Sequence, residues 1–313
     1  ALLKSFQSNL LTISVMIALL VAGLSITLSR MLTRQISGLL QAIRSVREGA
    51  YSHRADASGT DEIAQIAAEF NSLTDRLQTT EDARRRFVSD ASHELKTPLA
   101  GIRLLTDSIL QTDNMDPETT KEFVTDIGRE AERLSRITEN LLRLTRLDGG
   151  VVQAAYPVAI EPVMRRVEGM LGVVAGEKGV AISGSASEDA VALATEDDVH
   201  QILYNLMENA IKYSAAENGF VRAEASVQDG QVVITVTDNG IGIPDEDLPH
   251  IFDRFYRVDK MRSREVGGTG LGLSIVKDTI ENRGGAIRAG HGADGVGTVF
   301  TVTLPLAQRE EEP

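Results

Sequence analysis

His93 and Glu94 stand next to each other, and Thr97 lies one helical turn further on. In a helix the i, i+4 relation puts the imidazole and the hydroxyl on the same side, with the carboxylate adjacent. A second histidine four positions after the first would make this a zinc-binding helix; that position is Thr97, so the zinc reading fails. The chain has no cysteine, which removes thiol catalysis, thiolate metal sites and disulfides.

Four further groups follow downstream. Asp198 to Tyr213 reads as a helix with Val199, Ile202, Leu206 and Ala210 on its apolar side and Asn205, Glu208, Asn209 and Lys212 on its polar side. Amide and carboxylate oxygens at that spacing suit Mg²⁺, although a solvated helix face has the same pattern. The run Asp238-Asn-Gly-Ile-Gly-Ile-Pro244 follows a strand. An aspartate buried there can accept from an adenine amino group, and Gly240 and Gly242 let the backbone close over the base. Phe252-Asp-Arg-Phe-Tyr-Arg257 puts exposed basic groups in a loop, suited to phosphate, to a neighbouring domain or to ordinary loop packing. Gly267-Gly-Thr-Gly-Leu-Gly-Leu-Ser274 runs into an amphipathic helix ending near Gly284, whose first N–H groups can hold a polyphosphate. No Gly-x-x-x-x-Gly-Lys-Ser/Thr run occurs, so a nucleotide site here is not a P-loop.

The elements that must position these groups can be read from periodicity. Val88, Leu95, Ile102 and Ile109 recur in heptads with Ala91, Pro98 and Leu105, which predicts one helix near 83 to 111. With Val88 at an a position, His93 falls at f and faces solvent, while Pro98 removes a hydrogen bond beside it and loosens the helix. After a polar break at Gln111 to Pro117, a second heptad helix carries Phe123, Ile127, Leu134, Ile137, Leu141 and Leu144, with Glu130 on its seam. The two form an antiparallel hairpin with too little core of its own, so a homodimeric four-helix bundle is expected. Gly149-Gly150 then opens a hinge. From about residue 152 the period changes: runs at 180–182, 191–193, 221–227, 231–237 and 298–304 have strand character, and Asp229-Gly230 is a hairpin turn. Helices between them, covering one face, predict an α/β sandwich.

Composition narrows the setting. With 313 residues and 42% hydrophobic content several modules are expected, and a net charge of −13, no tryptophan and 4% aromatics argue against direct nucleic-acid binding. Leu10 to Ser29 carries no charge, and about 20 helical residues match a hydrocarbon core of roughly 30 Å. We read it as a transmembrane helix rather than a signal peptide or a buried core helix. Arg30 and Arg34 follow it against Lys4 before it, which puts the long C-terminal part in the cytoplasm. Beyond the span, Ile36, Leu39, Ile43 and Val46, then Ile63, Ile66, Phe70, Leu73 and Leu77, form two helical stripes joined by a polar connector containing Gly59.

The run Phe87-Val-Ser-Asp-Ala-Ser-His-Glu-Leu-Lys-Thr-Pro-Leu99 resembles the phosphoacceptor box of bacterial two-component sensor histidine kinases. In sequence order, Asn205 to Tyr213, Asp238 to Pro244, Phe252 to Arg257 and Gly268 to Ser274 resemble the N, G1, F and G2 boxes of their Bergerat-type ATPase domain. The paired stripes with Asp61-Glu62-Ile63 resemble a HAMP linker, with Gln35 where that family usually has proline. The resemblance covers about residues 30 to 307. It implies a transmembrane helix and flank (1–29), a HAMP linker (30–80), a dimerisation and histidine-phosphotransfer hairpin (81–150), a catalytic ATP-binding domain (151–307) and an acidic tail (308–313). By it His93 attacks the γ-phosphorus of ATP, Glu94 accepts the proton, and Thr97 positions water for dephosphorylating the partner. Asn209 and Asn205 serve Mg²⁺, Lys212 and Tyr213 approach the nucleotide, and Asp238 reads adenine. Gly240, Gly242, Gly268, Thr269, Gly270, Leu271 and Gly272 line the nucleotide, and residues 244 to 268 form a mobile lid. The implied protein sits in the bacterial inner or plasma membrane with its kinase core cytoplasmic, and phosphorylates an aspartate of a cognate response regulator. The rival readings are a chaperone- or topoisomerase-type ATPase, which leaves the His93 box unexplained, and a receptor acting mainly as a phosphatase or silent relay.

Overall fold

The computed structural model describes residues 2–59, 61–112, 115–148, 153–215, 217–258, 268–292 and 295–307. The hinge at Gly149-Gly150, the turn at Asn114, the lid stretch 259–267 and the tail 308–313 lie outside these residues. The chain divides into two compact units, Ala1–Ser89 and Asp90–Pro313.

The first unit contains helix α1 (Leu2–Arg47) and the start of helix α2 (Glu62–Gln111). The apolar span and the first stripe, expected as separate elements, lie on one helix, because Arg30 to Ile36 contains neither proline nor glycine and nothing stops α1. The same holds for α2, where residues 78–87 lack a breaker and Glu81 pairs with Arg84 and Arg85 at 2.8 and 3.0 Å. Helix α2 continues through Pro98 to Gln111 without interruption. Among the described residues, Ile13–Arg47 is the helical stretch long and apolar enough to cross a membrane, and its large apolar side chains from Ile13 to Leu32 are exposed. The connector is clipped to α2: Asn71 donates to Ala55 O and accepts from Ala55 N, both at 2.9 Å. Ala42, Ala55 and Ala67 pack with Leu39 and Phe70 beneath it, while Ile36, Ile43, Ile66, Leu73 and Leu77 stay exposed on the single chain.

The second unit joins the hairpin to an α/β domain. Helix α3 (Pro117–Asp148) buries Ile137 and Leu144 and half-buries Phe123, Ile127, Leu134 and Leu141, as the heptads require. The domain then runs β1 (Tyr156–Ala159), α4 (Ile160–Glu177), β2 (Ala181–Ala186), β3 (Val191–Ala194), α5 (Glu196–Tyr213), β4 (Phe220–Gln228), β5 (Gln231–Asp238), α6 (Gly272–Asn282), β6 (Ala286–His291) and β7 (Thr298–Pro305). The main sheet has the order β2-β4-β5-β7-β6, with β2 parallel to β4 and the other pairs antiparallel; β1 and β3 form a separate antiparallel pair. Asp229 and Gly230 take positive φ of 48° and 74° at the β4–β5 turn, the geometry a two-residue hairpin loop demands.

Alternation in β5 buries Val232, Ile234 and Val236, and β7 buries Phe300, Val302 and Leu304 beside them. Ile202, Leu203 and Leu206 of α5 and Val163, Met164 and Val167 of α4 are buried in the same cluster, which forms the core of the domain. Because Ile202 is fully enclosed there, Ile202→Ala is expected to lower the unfolding free energy of this domain by about 2–5 kcal/mol, as read by urea denaturation.

Candidate functional site

Where the covering helices end, the sheet leaves a cavity of about 600 Å³. It is bounded by the polar side of α5, the C-terminal end of β5, the loop after it, and the start of α6. Asp238 closes the buried alternation of β5, so a carboxylate stands where the pattern of Val232, Ile234 and Val236 has an apolar residue. It is 4% exposed, and its Oδ1 accepts from the backbone N–H of Gly240 at 2.8 Å and of Thr298 at 3.1 Å. Burial pushes its carboxyl upward in pKa, against those two bonds, which pull it down. Its remaining lone pairs face a mostly apolar recess that includes Ile241, Ile243 and Phe300. A flat heterocycle with an exocyclic amino group has the matching shape and donor.

The loop around this carboxylate is tightly held. A Cβ on Gly240 would lie 2.0 Å from Tyr213 O, so the close approach that demands glycine there is to the chain itself rather than to a ligand. Asn239 accepts from Phe220 N at 2.8 Å and donates to Asn218 O at 2.9 Å, tying the loop to the start of β4. Gly270 has φ +70° and packs on Phe255, whose N–H donates to Gly270 O at 2.9 Å. The Phe252 to Arg257 run therefore supports the glycine loop through Phe255, while Tyr256 and Arg257 line the cavity.

The opposite wall is polar. Asn205, Asn209, Lys212 and Tyr213 line the cavity, as do Gly242, Gly268, Thr269, Gly270 and Gly272. Gly240 and Leu271 do not; Leu271 is fully buried in the core. Asn205 donates to Gln201 O at 3.0 Å, which leaves its amide oxygen facing Gly272. Among the described residues no cluster of three His, Cys, Asp or Glu side chains exists. The donor set at Asn205 and Asn209, amide oxygens beside Glu208, fits a hard cation that keeps most of its water and takes the rest of its shell from phosphate.

Lys212 is more than half-buried without an acidic side chain bonded to it. Desolvation lowers its pKa from 10.5 to about 8; Glu208 opposes the shift, and the nearby Arg257, Arg136 and Lys178 add to it. Four cations border the cavity against the lining carboxylate of Glu208 and the Asp238 at its floor, so an entering polyanion is attracted.

On α2, His93 is exposed, as the heptad register requires, and Thr97 donates to His93 O at 3.1 Å. The Glu94 carboxylate does not stand free. Its Oε2 lies 3.1 Å from Arg257 Nη2 and 3.6 Å from Arg133 Nη2. Arg257, read from sequence as an exposed loop cation, is only 8% exposed and also donates to Gly268 O. Arg257 thus meets the neighbouring hairpin and the cavity, while Arg254 pairs with Asp278 and Phe255 packs on Gly270 within the domain. Arg136, Asn140 and Lys178 line the cavity and escaped the sequence reading, since two belong to the hairpin and the third to the end of α4.

Comparison with known families agrees with this geometry. Residues 27–79 match the HAMP domain, residues 83–150 the His Kinase A (phospho-acceptor) domain, and residues 194–308 the histidine kinase-, DNA gyrase B- and HSP90-like ATPase family. The three domains are thus found in order along the chain, and its homologues are sensor histidine kinases. The signal transduction histidine-protein kinase AfsQ2 of Streptomyces coelicolor is 36% identical over 84% of this chain and 51% of its own length. BaeS of Escherichia coli is 30% identical over 92% of this chain and 61% of its own length, so the chain spans little more than half of these relatives. Among solved structures, full-length ShkA in complex with AMPPNP shares 31% identity with a TM-score of 0.53, covering 71% of this chain and 46% of ShkA. The histidine kinase ThkA in complex with the response regulator TrrA shares the fold, with a TM-score of 0.57 at 22% identity over 74% of this chain and 66% of ThkA.

The lysine shift has a measurable sign. A folded-state pKa depressed to about 8 means the unfolded chain binds more protons between that value and 10.5, so stability gains from Lys212 as pH rises through this window. The stability of wild type relative to Lys212→Met is therefore expected to rise from pH 8 toward pH 10.5 in paired denaturant titrations.

Proposed function

We propose that this chain is the kinase core of a membrane-anchored sensor histidine kinase, which uses ATP to phosphorylate His93 and passes the phosphoryl group to an aspartate of a response regulator. The observation that carries the reading is the joint arrangement of Asp238, Lys212 and the Gly268–Gly272 loop around one cavity, with Glu94 beside His93 bonded to a lining residue of that cavity, Arg257. Asp238 takes the adenine amino group, and the backbone N–H groups of the glycine loop together with Lys212 hold the phosphate chain. Asn209 and Asn205 would hold Mg²⁺, which neutralises phosphate charge when bound. A ring nitrogen of His93 forms a bond to the γ-phosphorus as the bond to the ADP oxygen breaks, and Glu94 receives the imidazole proton. Glu94 must exchange its pairing with Arg257 for His93 to do so. The hairpin and the HAMP stripes give the homodimer, α1 gives the membrane anchor in the bacterial inner or plasma membrane, and the ATPase domain lies in the cytoplasm. Thr97 positions water when the regulator is dephosphorylated. The acceptor protein is supported by the ThkA–TrrA complex among the neighbours of this fold.

The test is incubation with γ-labelled ATP and Mg²⁺. An acid-labile, alkali-stable label is expected on the wild type and none on His93→Gln, which retains ATP binding; a label surviving in His93→Gln overturns the assignment, and ATP binding without label in the wild type favours a phosphatase-biased receptor. Glu94→Gln should slow labelling by about 10²–10⁴-fold, the usual contribution of a positioned base. Thr97→Ala should slow regulator dephosphorylation while leaving autophosphorylation near wild type, measured on the purified phosphorylated regulator.

A further inference from the structure

Helix α3 carries a polar stripe at Arg133, Arg136, Asn140 and Arg143, steps of three, four and three that place all four on one side of the helix. Each meets the rest of the unit. Arg133 is 3.6 Å from Glu94, Arg136 and Asn140 line the cavity, and Arg143 donates to Gln201 Oε1 at 3.0 Å with its guanidinium 3.8 Å from Asp198. Helix α3 itself packs on α6, and the stripe reaches α5 through its long side chains: Gln201 meets it at one end, and Tyr204, Asn205 and Glu208 share the cavity with it.

The ends of the stripe have partners within the chain, whereas Arg136 makes no salt bridge with any described residue. Arg136 is exposed and borders the cavity, where it adds to the lowering that burial imposes on the Lys212 pKa and opposes the rise that burial gives Tyr204. An unpaired guanidinium beside Lys178, Lys212 and Arg257 is a repulsive arrangement that an anion relieves.

We infer that the hairpin completes the nucleotide site: Arg136 of α3 contacts the phosphate chain of a nucleotide held in the ATPase domain, with Asn140 beside it. The inference rests on the ATP reading of the cavity. It makes a bound nucleoside triphosphate a ligand of hairpin and ATPase domain together, so nucleotide binding and the docking of α3 on the ATPase domain reinforce each other.

The experiment is displacement of a fluorescent ATP analogue from the detergent-solubilised full chain, with ATP and with adenosine as competitors. Arg136→Ser is expected to weaken ATP about tenfold and to leave adenosine unchanged, while Arg136→Lys, which keeps the charge without the fork, loses about threefold. Arg136→Ser binding ATP as wild type does, in the same assay where Asp238→Asn has lost it, overturns the inference and leaves the cavity assignment standing. A loss that falls equally on adenosine also overturns it, because the effect would then not pass through phosphate. Wild-type ATP affinity in Asp238→Asn would sink the adenine assignment itself, and this inference with it.

Discussion

Helix α5 must satisfy two surfaces with one period. Its 18 residues bury Val199, Ile202, Leu203, Leu206, Met207 and Ala210 against the sheet and α4, and the same 3.6-residue repeat leaves Asn205, Glu208, Asn209 and Lys212 pointing away from that core. The polar face cannot be moved without moving the apolar one, so the position of the core fixes where the amides and the lysine stand. The capping box is part of the same constraint. Asp198 accepts from Thr195 Oγ1 at 2.6 Å and from Thr195 N at 3.2 Å, setting the start of the helix, and holds Arg283 at 2.7 Å.

Against this framework the cavity is an end effect of the sheet. Strand β5 keeps its alternation one step, two residues, past its last buried apolar position Val236, and the side chain placed there is Asp238. The site needs no separate architecture: a carboxylate in a core position, glycines where backbone meets backbone, and one polar helix face. The hairpin meets it from outside. Arg257 bonds Glu94 and lines the cavity, so a single guanidinium borders both the phosphoacceptor helix and the nucleotide pocket. The neighbouring Arg133 and Glu130 are 3.9 Å apart as an ion pair, although Arg133 Nε and Glu130 Oε2 are enclosed without hydrogen-bond partners.

Much of this could be read from residue order. The heptads placed His93 outward, the α5 pattern separated core from site, and Asp229-Gly230 marked its hairpin. Strands β1 and β6 were not legible: Tyr156–Ala159 is four residues long and Ala286–His291 is rich in alanine, glycine and arginine, so neither shows an apolar period. The joined helices α1 and α2 were missed for the opposite reason, because a change of apolar stripe was taken as an end where no glycine or proline stops the chain. Arg136, Asn140 and Lys178 had no local signal at all, since their part in the cavity comes from contacts between elements distant in sequence. Arg257 belonged to a recognised motif, but its burial depends on a partner 163 residues away.

The tie between Asp198 and Arg283 bears on the order in which the domain can assemble. The two residues are 85 positions apart, and Arg283 also reaches Gln153 O, 130 positions before it, at 2.7 Å. Strands β2 and β4 pair in parallel around a whole helix and strand, and β5 and β7 are separated in sequence by α6 and β6. Contacts this distant must overcome loop-closure entropy before they return any stability, a cost that the more local contacts of a helical hairpin largely avoid. On a ribosome the N-terminus of α5 would stay unlatched until the chain beyond Arg283 had emerged, leaving its apolar face exposed to the chaperones that attend slow-folding α/β domains.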